Sequence, residues 1–252
     1  MISDRETLRR HLGGLPFISD TFRAKIVSSL VAAKRQSALG HAQHTEGSGY
    51  LTPDAGMRYL TEPHYRSLYE RWRKCPGLMP AQIARIDRTR RAIIAREPTW
   101  ESLLHIPVRF VVPDDPAVVN ASNPLVPQTI ALGHRAFESQ DLLTTALIHE
   151  YAHVWMGLIC EIADIDNGRD RRRFILPSGT GDKTLRTVVF AAHFAVACGR
   201  YFGFDTPYRL GSALTYGSYA RESLDLCAGS VGLSVMGQVV WHELSENVMP
   251  IG

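Results

Sequence analysis

One five-residue pattern in this sequence has the residue types and the spacing to bind a metal ion. His149 and His153 stand four positions apart in the segment HEYAH, with Glu150 between them. On an α-helix, residues four apart lie on one face, so both imidazole rings can reach the same ion while the carboxylate of Glu150 lies beside it. Neutral imidazole accepts zinc, iron, copper or nickel. The pattern therefore predicts a metal site without identifying the metal.

The segment around this pattern has the apolar spacing of a long, buried helix. Apolar residues recur from Leu142 to Ile159, and Ser139 or Asp141 provides a helix start signal. Two short upstream runs, 107–112 and 128–132, are typical of strands and are separated by a proline-rich loop. We therefore expect an α+β fold, mostly α-helical. In it, a small sheet packs on the buried helix that carries HEYAH, which is an HExxH pattern (the HExxH helix).

A third protein ligand would distinguish between the enzyme classes that use two histidines. The extended pattern HExxHxxGxxH of the metzincins, a class of zinc peptidases, is absent. Ile159 stands where that class has its third histidine. The remaining candidates are Asp182 in the segment GTGD, Glu222 in the segment RESLD, and His193 in an apolar predicted helix over 185–198. Glu222 would indicate a zinc peptidase of the gluzincin type. We favour His193, because its helix is the next strongly apolar one and can pack antiparallel to the HExxH helix.

Two arginines flank His193 at a spacing of seven residues. Arg186 and Arg200 therefore lie on the same predicted helical face as this histidine. A guanidinium binds a carboxylate through charge-assisted hydrogen bonds. Either arginine could thus hold a ligand carboxylate beside the metal.

The stretch from 124 to 202 resembles the HExxH proteins of peptide-modification clusters, which are 2-oxoglutarate-dependent peptide β-hydroxylases. The resemblance consists of the HExxH triplet, then Pro177, Leu185 and the helix of small and aromatic residues around His193. By gapless counting, the later histidine of that family falls on Phe190, one helical turn before His193.

The resemblance implies a metal-dependent oxygenase that hydroxylates an amino-acid residue or a peptide with Fe(II), 2-oxoglutarate and O2. Its substrate would be free or attached to a carrier or leader. Arg186 or Arg200 would bind 2-oxoglutarate, and the metal ligands would be His149, His153 and His193. The alternative is a gluzincin-like zinc metallopeptidase in which Glu150 is the general base. A metal-binding scaffold without catalysis is the third possibility.

Composition and charge argue against several other classes of protein. The content of 45% hydrophobic and 21% charged residues is ordinary for a globular protein, and the formal net charge of +3 is too small to indicate nucleic-acid binding. The longest apolar stretch, 188–199, is shorter than the roughly 20 residues of a membrane helix. We expect no nucleic-acid or membrane partner and, because the first residues lack a signal-peptide pattern, a cytoplasmic protein.

The pattern of apolar residues changes near residue 100, from helical spacing to short strand-like runs. We expect a helical N-terminal part over 1–100 and a metal-binding catalytic part over 101–252, as two parts or as one continuous domain. The segment 41–56 is rich in Gly, Ser and Thr and is predicted to be a loop, so we do not interpret the spacing of His41 and His44 as a metal motif.

Overall fold

The computed structural model describes residues 4–39, 47–60, 66–210 and 213–248. His41 and His44 lie outside the described residues. Of the described residues, 60% are helical, and one small three-stranded sheet accompanies them, which confirms the expected α+β, mostly helical fold. It divides into two compact units, one formed by Ala24–Ile162 and the other by Met1–Arg23 together with Ala163–Gly252. The boundary predicted near residue 100 thus falls inside the unit Ala24–Ile162.

The helices and strands follow one another along the chain. The α-helices are α1 (Arg5–Leu12), α2 (Ala24–Leu39), α3 (Pro53–Leu60), α4 (Arg66–Lys74), α5 (Pro80–Arg96), α6 (Glu101–Leu104), α7 (Gln140–Ile162), α8 (Leu185–Phe202), α9 (Tyr216–Cys227) and α10 (Val235–Asn247). The strands are β1 (Arg109–Val111), β2 (Asn120–Asn123) and β3 (Val126–Leu132).

The sheet packs against α7, the helix that carries the HExxH pattern. β3 is its central strand, parallel to β1 and antiparallel to β2. Every residue of β3 is buried, and α7 contacts both β2 and β3. The expected packing of a small sheet on the HExxH helix is therefore confirmed. β2 was not predicted, because its sequence NASN has no apolar alternation and its pairing depends on the hairpin with β3.

A buried ion pair joins α2 to α7 within the unit Ala24–Ile162. The Arg35 side chain is fully buried, and its guanidinium donates two hydrogen bonds to Glu161, at 2.6 and 2.8 Å. The remaining nitrogen donates to the side-chain oxygen of Gln128 at 2.8 Å and to the carbonyl oxygens of Tyr50 and Thr52. A buried charge is tolerated only when it is paired and hydrogen-bonded in this way. The cluster therefore fixes α2 and β3 against the C-terminal half of α7.

In the unit formed by both ends of the chain, α8 is the central helix. It contacts α9 and α10, and it is buried along nearly its whole length because its sequence is apolar on every side. The Thr184 side chain caps its first turn by accepting a hydrogen bond from the Thr187 amide. The helix predicted over 185–198 is thus part of α8. Across the described residues, no helix is long and apolar enough to cross a membrane.

Candidate metal centre

α7 is buried over most of its length, but one face of its central part is partly exposed. The residues on this face are His149, His153, Gly157 and Cys160. Their spacings of four, four and three are those of a single helical stripe. The stripe gives the two histidines access to a ligand, although the flanking residues of α7 lie in the core.

The imidazole rings of His149 and His153 lie close to one another. Their centroids are 4.6 Å apart and their planes are nearly perpendicular, at 89°. Burial lowers the pKa of His149 to about 3 and so keeps this ring neutral. Neutral imidazole is the form that binds a metal. The pair therefore fits the two-histidine donor set that the sequence pattern predicts.

The carboxylate of Glu150 is buried beside His149 and is held by β2. Its Oε1 atom lies 3.8 Å from Nε2 of His149, and its side chain is 1% exposed. The Asn120 amide donates to Oε1, and the Ser122 side chain is also hydrogen-bonded to this carboxylate. Burial raises the pKa of Glu150 to about 7, against the smaller lowering effect of these hydrogen bonds. Within the described part of the chain, Oε2 is buried without a hydrogen-bond partner.

Asn120 and Ser122 are two site residues that the sequence did not reveal. Both lie on β2 and reach Glu150 across the contact between this strand and α7. Asparagine and serine in a short polar segment are typical of a loop, so nothing in the pattern marks them. Their role follows only from the hairpin that brings β2 to the helix.

His193 lies on α8 and is fully buried. Its Nε2 atom is 2.8 Å from the carbonyl oxygen of Pro16. Because a carbonyl can only accept, Nε2 carries the hydrogen and Nδ1 holds the lone pair. Nδ1 is buried and has no hydrogen-bond partner among the residues described, and burial lowers the pKa of His193 to about 4. A backbone carbonyl that orients a neutral imidazole in this way is typical of metal-binding histidines.

The two carboxylates considered as third ligands differ from His193 in their surroundings. Glu222 is exposed on α9. The Asp182 side chain is 86% exposed and lies 3.6 Å from the guanidinium of Arg173. In the described ranges, no three His, Cys, Asp or Glu side chains are grouped so that they could hold a metal ion. The third ligand therefore stays a prediction, with His193 as the buried candidate.

The arginines predicted to bind 2-oxoglutarate are both engaged with aspartates. Nε of Arg186 lies 2.7 Å from Asp166, and Arg200 pairs with Asp20 and also donates to the carbonyl oxygen of Ile18. A carboxylate ligand would have to replace these partners. Since each arginine already has an aspartate partner in this arrangement, its assignment to 2-oxoglutarate stays a prediction.

We expect His193→Ala to weaken Co(II) binding by about tenfold or more, because a metal ligand contributes at least as much as the outer-shell partners whose loss costs about 10–100-fold. Glu222→Ala and Asp182→Ala are the matched controls, and both should bind Co(II) as the parent protein does because their carboxylates are exposed. Titration of each metal-free variant, followed by visible absorption, measures the affinity. A loss confined to Glu222→Ala would instead identify a gluzincin-type site.

The structure thus brings together the histidine pair and Glu150 within one unit, and adds Asn120 and Ser122 to them. His193, Arg186 and Arg200 belong to the other unit. Comparison of this sequence with protein-family models and with curated proteins finds no match.

Proposed function

We propose that this protein is a metal-dependent enzyme that hydroxylates an amino-acid residue or a peptide, using Fe(II), 2-oxoglutarate and O2. The observation that supports a metal site is the pair His149 and His153, which lies on the partly exposed face of an otherwise buried helix. The resemblance of residues 124–202 to peptide β-hydroxylases favours iron and 2-oxoglutarate over other metal chemistry. Bound iron would allow O2 to hydroxylate a C–H bond of the substrate. 2-Oxoglutarate would be the co-substrate that is oxidised in the same reaction.

The protein's own residues have separate tasks in this proposal. His149 and His153 hold the ion through neutral imidazoles. Asn120 and Ser122 fix the carboxylate of Glu150 beside them. Its Oε2 atom is buried and lacks a hydrogen-bond partner among the described residues, so it could accept a hydrogen bond from a substrate N–H or O–H group only after the side chains that cover it move. Glu150 would then orient the substrate at the site.

Anaerobic reconstitution with Fe(II) tests the proposal. Addition of 2-oxoglutarate should produce a visible charge-transfer band, and exposure to air should then yield succinate. The same protein with His149→Ala and His153→Ala should give neither signal. The proposal is wrong if the iron form gives no band and makes no succinate with any amino acid or peptide, while the zinc form cleaves peptides.

A zinc metallopeptidase is the second candidate, and the position of Glu150 favours it. Oε1 lies 3.8 Å from Nε2 of His149, so the carboxylate is next to the atom that would bind the metal. In HExxH peptidases the glutamate at this position accepts the proton of the metal-bound water. The buried carboxylate beside His149 is therefore the observation that favours this second candidate.

Glu150→Gln distinguishes the two candidates, since it keeps the shape of the side chain and removes the base. We expect the variant to bind metal normally and to retain 2-oxoglutarate turnover within about tenfold, because the glutamine oxygen still accepts a hydrogen bond, and a neutral hydrogen bond is worth about 1–1.4 kcal/mol less than one to a charged group. A peptidase would lose about 10²–10⁴-fold in rate with its general base. Succinate and peptide cleavage should be measured in parallel on both proteins. If the zinc form of Glu150→Gln loses the peptide cleavage that the parent protein shows, and the iron form of the parent protein is inactive, the result favours the peptidase.

A further inference from the structure

A cavity of about 210 Å³ lies on the face of the sheet that is turned away from α7. Side chains alternate between the two faces of a strand. Asn120 and Ser122 of β2 are hydrogen-bonded to Glu150 on α7. Ala121 stands between them and lines the cavity. The cavity is therefore separate from the candidate metal centre, and all of its lining residues belong to the unit Ala24–Ile162.

The floor of the cavity is apolar, because two small residues stand side by side in the sheet. Ala121 of β2 is paired with Ala131 of β3. Ala131 belongs to a small buried cluster with Val111 and Cys75. Trp72 of α4 packs on this cluster and provides one wall of the cavity. Since an apolar cavity of about 150 Å³ holds benzene, this cavity has room for one ring and a short chain.

Cys75 contributes a neutral thiol to the cavity. Burial raises the pKa of this thiol, and the hydrogen bond that it donates to Asp114 at 3.4 Å acts in the same direction. A neutral thiol packs as a small apolar group. Cys75 therefore adds apolar surface to the cavity and no charge.

The rim of the cavity carries one cation and two anions among its described lining residues. Nε of Arg71 donates to Oδ2 of Asp114 at 2.9 Å, and this hydrogen bond lowers the pKa of Asp114. Asp115 accepts a hydrogen bond from the Ala117 amide at 2.9 Å and forms no ion pair with a described residue. The guanidinium thus balances one of the two carboxylates. The rim is left with one negative charge, on Asp115.

We propose that this cavity binds a small organic cation, a protonated amine that carries one aromatic ring. The ring lies against Trp72 and the two alanines of the floor, and the ammonium group pairs with Asp115 at the rim. A carboxylate ligand would meet the excess negative charge of the rim. An alcohol of the same shape would lack the ion pair. The inference makes no use of a bound metal, so it stands or falls independently of the proposed function.

Calorimetric titration of the metal-free, full-length protein with three ligands of similar shape tests the proposal. 2-Phenylethylamine, 2-phenylethanol and phenylacetate carry the same ring with a cationic, a neutral and an anionic end. We expect the amine to bind with a dissociation constant of about 1 mM or less, about threefold or more tighter than the alcohol, and phenylacetate to bind least. Salt at about 1 M should reduce the advantage of the amine, because it screens exposed charges.

Two variants place the amine in this cavity. Asp115→Asn keeps the shape of the side chain and removes its charge, so the amine should bind no better than the alcohol. Asp225→Asn, at an exposed position of α9, is the matched control and should bind as the parent protein does. Ala121→Leu fills the cavity and should weaken the binding of the amine by about tenfold or more. Ala92→Leu adds the same bulk to an exposed position of α5 and should change nothing.

Thermal unfolding of each variant separates a filled cavity from a damaged fold. Because Asp115 is exposed, Asp115→Asn should unfold at the same temperature as the parent protein, and it tests the site even if Ala121→Leu is unstable. The proposal is overturned if no ligand binds or if phenylacetate binds as tightly as the amine. It is equally overturned if Asp115→Asn preserves the difference between amine and alcohol, or if a stable Ala121→Leu protein binds the amine like the parent.

Discussion

Replacing His149 and His153 together with alanine is expected to abolish the binding of a divalent metal ion. The two rings are 4.6 Å apart on one helix face, and no other histidine pair on this helix could substitute for them. Loss of both imidazoles should lower the affinity by more than about a hundredfold, since even outer-shell changes cost about 10–100-fold. Metal analysis after Zn(II) or Fe(II) loading and desalting measures the occupancy.

The matched control for this variant is the pair His105→Ala and His134→Ala. Both histidines are exposed and lie outside α7, so their loss should leave the occupancy unchanged. Circular dichroism of the metal-free proteins should show the same helical content in both double variants. Full metal occupancy in the His149 and His153 variant would mean that the ion binds elsewhere.

Arg35→Met is expected to destabilise the protein by about 3–5 kcal/mol, because it leaves the carboxylate of Glu161 buried without its partner. Gln128, Tyr50 and Thr52 would also lose the hydrogen bonds that the guanidinium donates to them. Urea unfolding followed by circular dichroism measures the change in the free energy of unfolding. We expect the midpoint to fall while the slope stays similar.

Two further variants define the origin of this effect. Adding Glu161→Leu to Arg35→Met removes both charges and should recover part of the lost stability, since an apolar pair of similar volume can replace a buried ion pair. Arg73→Met breaks an exposed pair, in which the side chains of Arg73 and Glu70 are 54% and 42% exposed, and it should cost far less stability than Arg35→Met because water screens the two charges. A loss below about 1 kcal/mol for Arg35→Met would show that the buried pair does not stabilise the fold.

The elements that the sequence predicts best are those with a long apolar period. α7 and α8 belong to this class, because consecutive apolar residues in their sequences predict a buried helix. β1 and β3 were predicted from short apolar runs near strand length. The histidine pair followed from helical spacing alone.

The remaining features depend on contacts between distant residues, which no local pattern records. Arg35 resembles a solvent-facing residue of α2, yet it is buried because Glu161 lies opposite it, 126 residues later in the chain. β2 is a polar segment that becomes a strand by pairing with β3. The division predicted near residue 100 followed the change from helical to strand-like sequence. In the structure the helices before that point and the sheet after it belong to the same unit.

One unit of the structure is made from both ends of the chain, and this has a consequence for the order of folding during synthesis. Ala24–Ile162 is complete when its last residue leaves the ribosome, whereas Met1–Arg23 has to wait for Ala163–Gly252. At about 5–20 residues per second, that wait is roughly 5 to 20 seconds. The hydrogen bond between His193 and the Pro16 carbonyl spans 177 positions and can form only after His193 has been synthesised. The HExxH helix can therefore fold before the hydrogen bond between Pro16 and His193 forms.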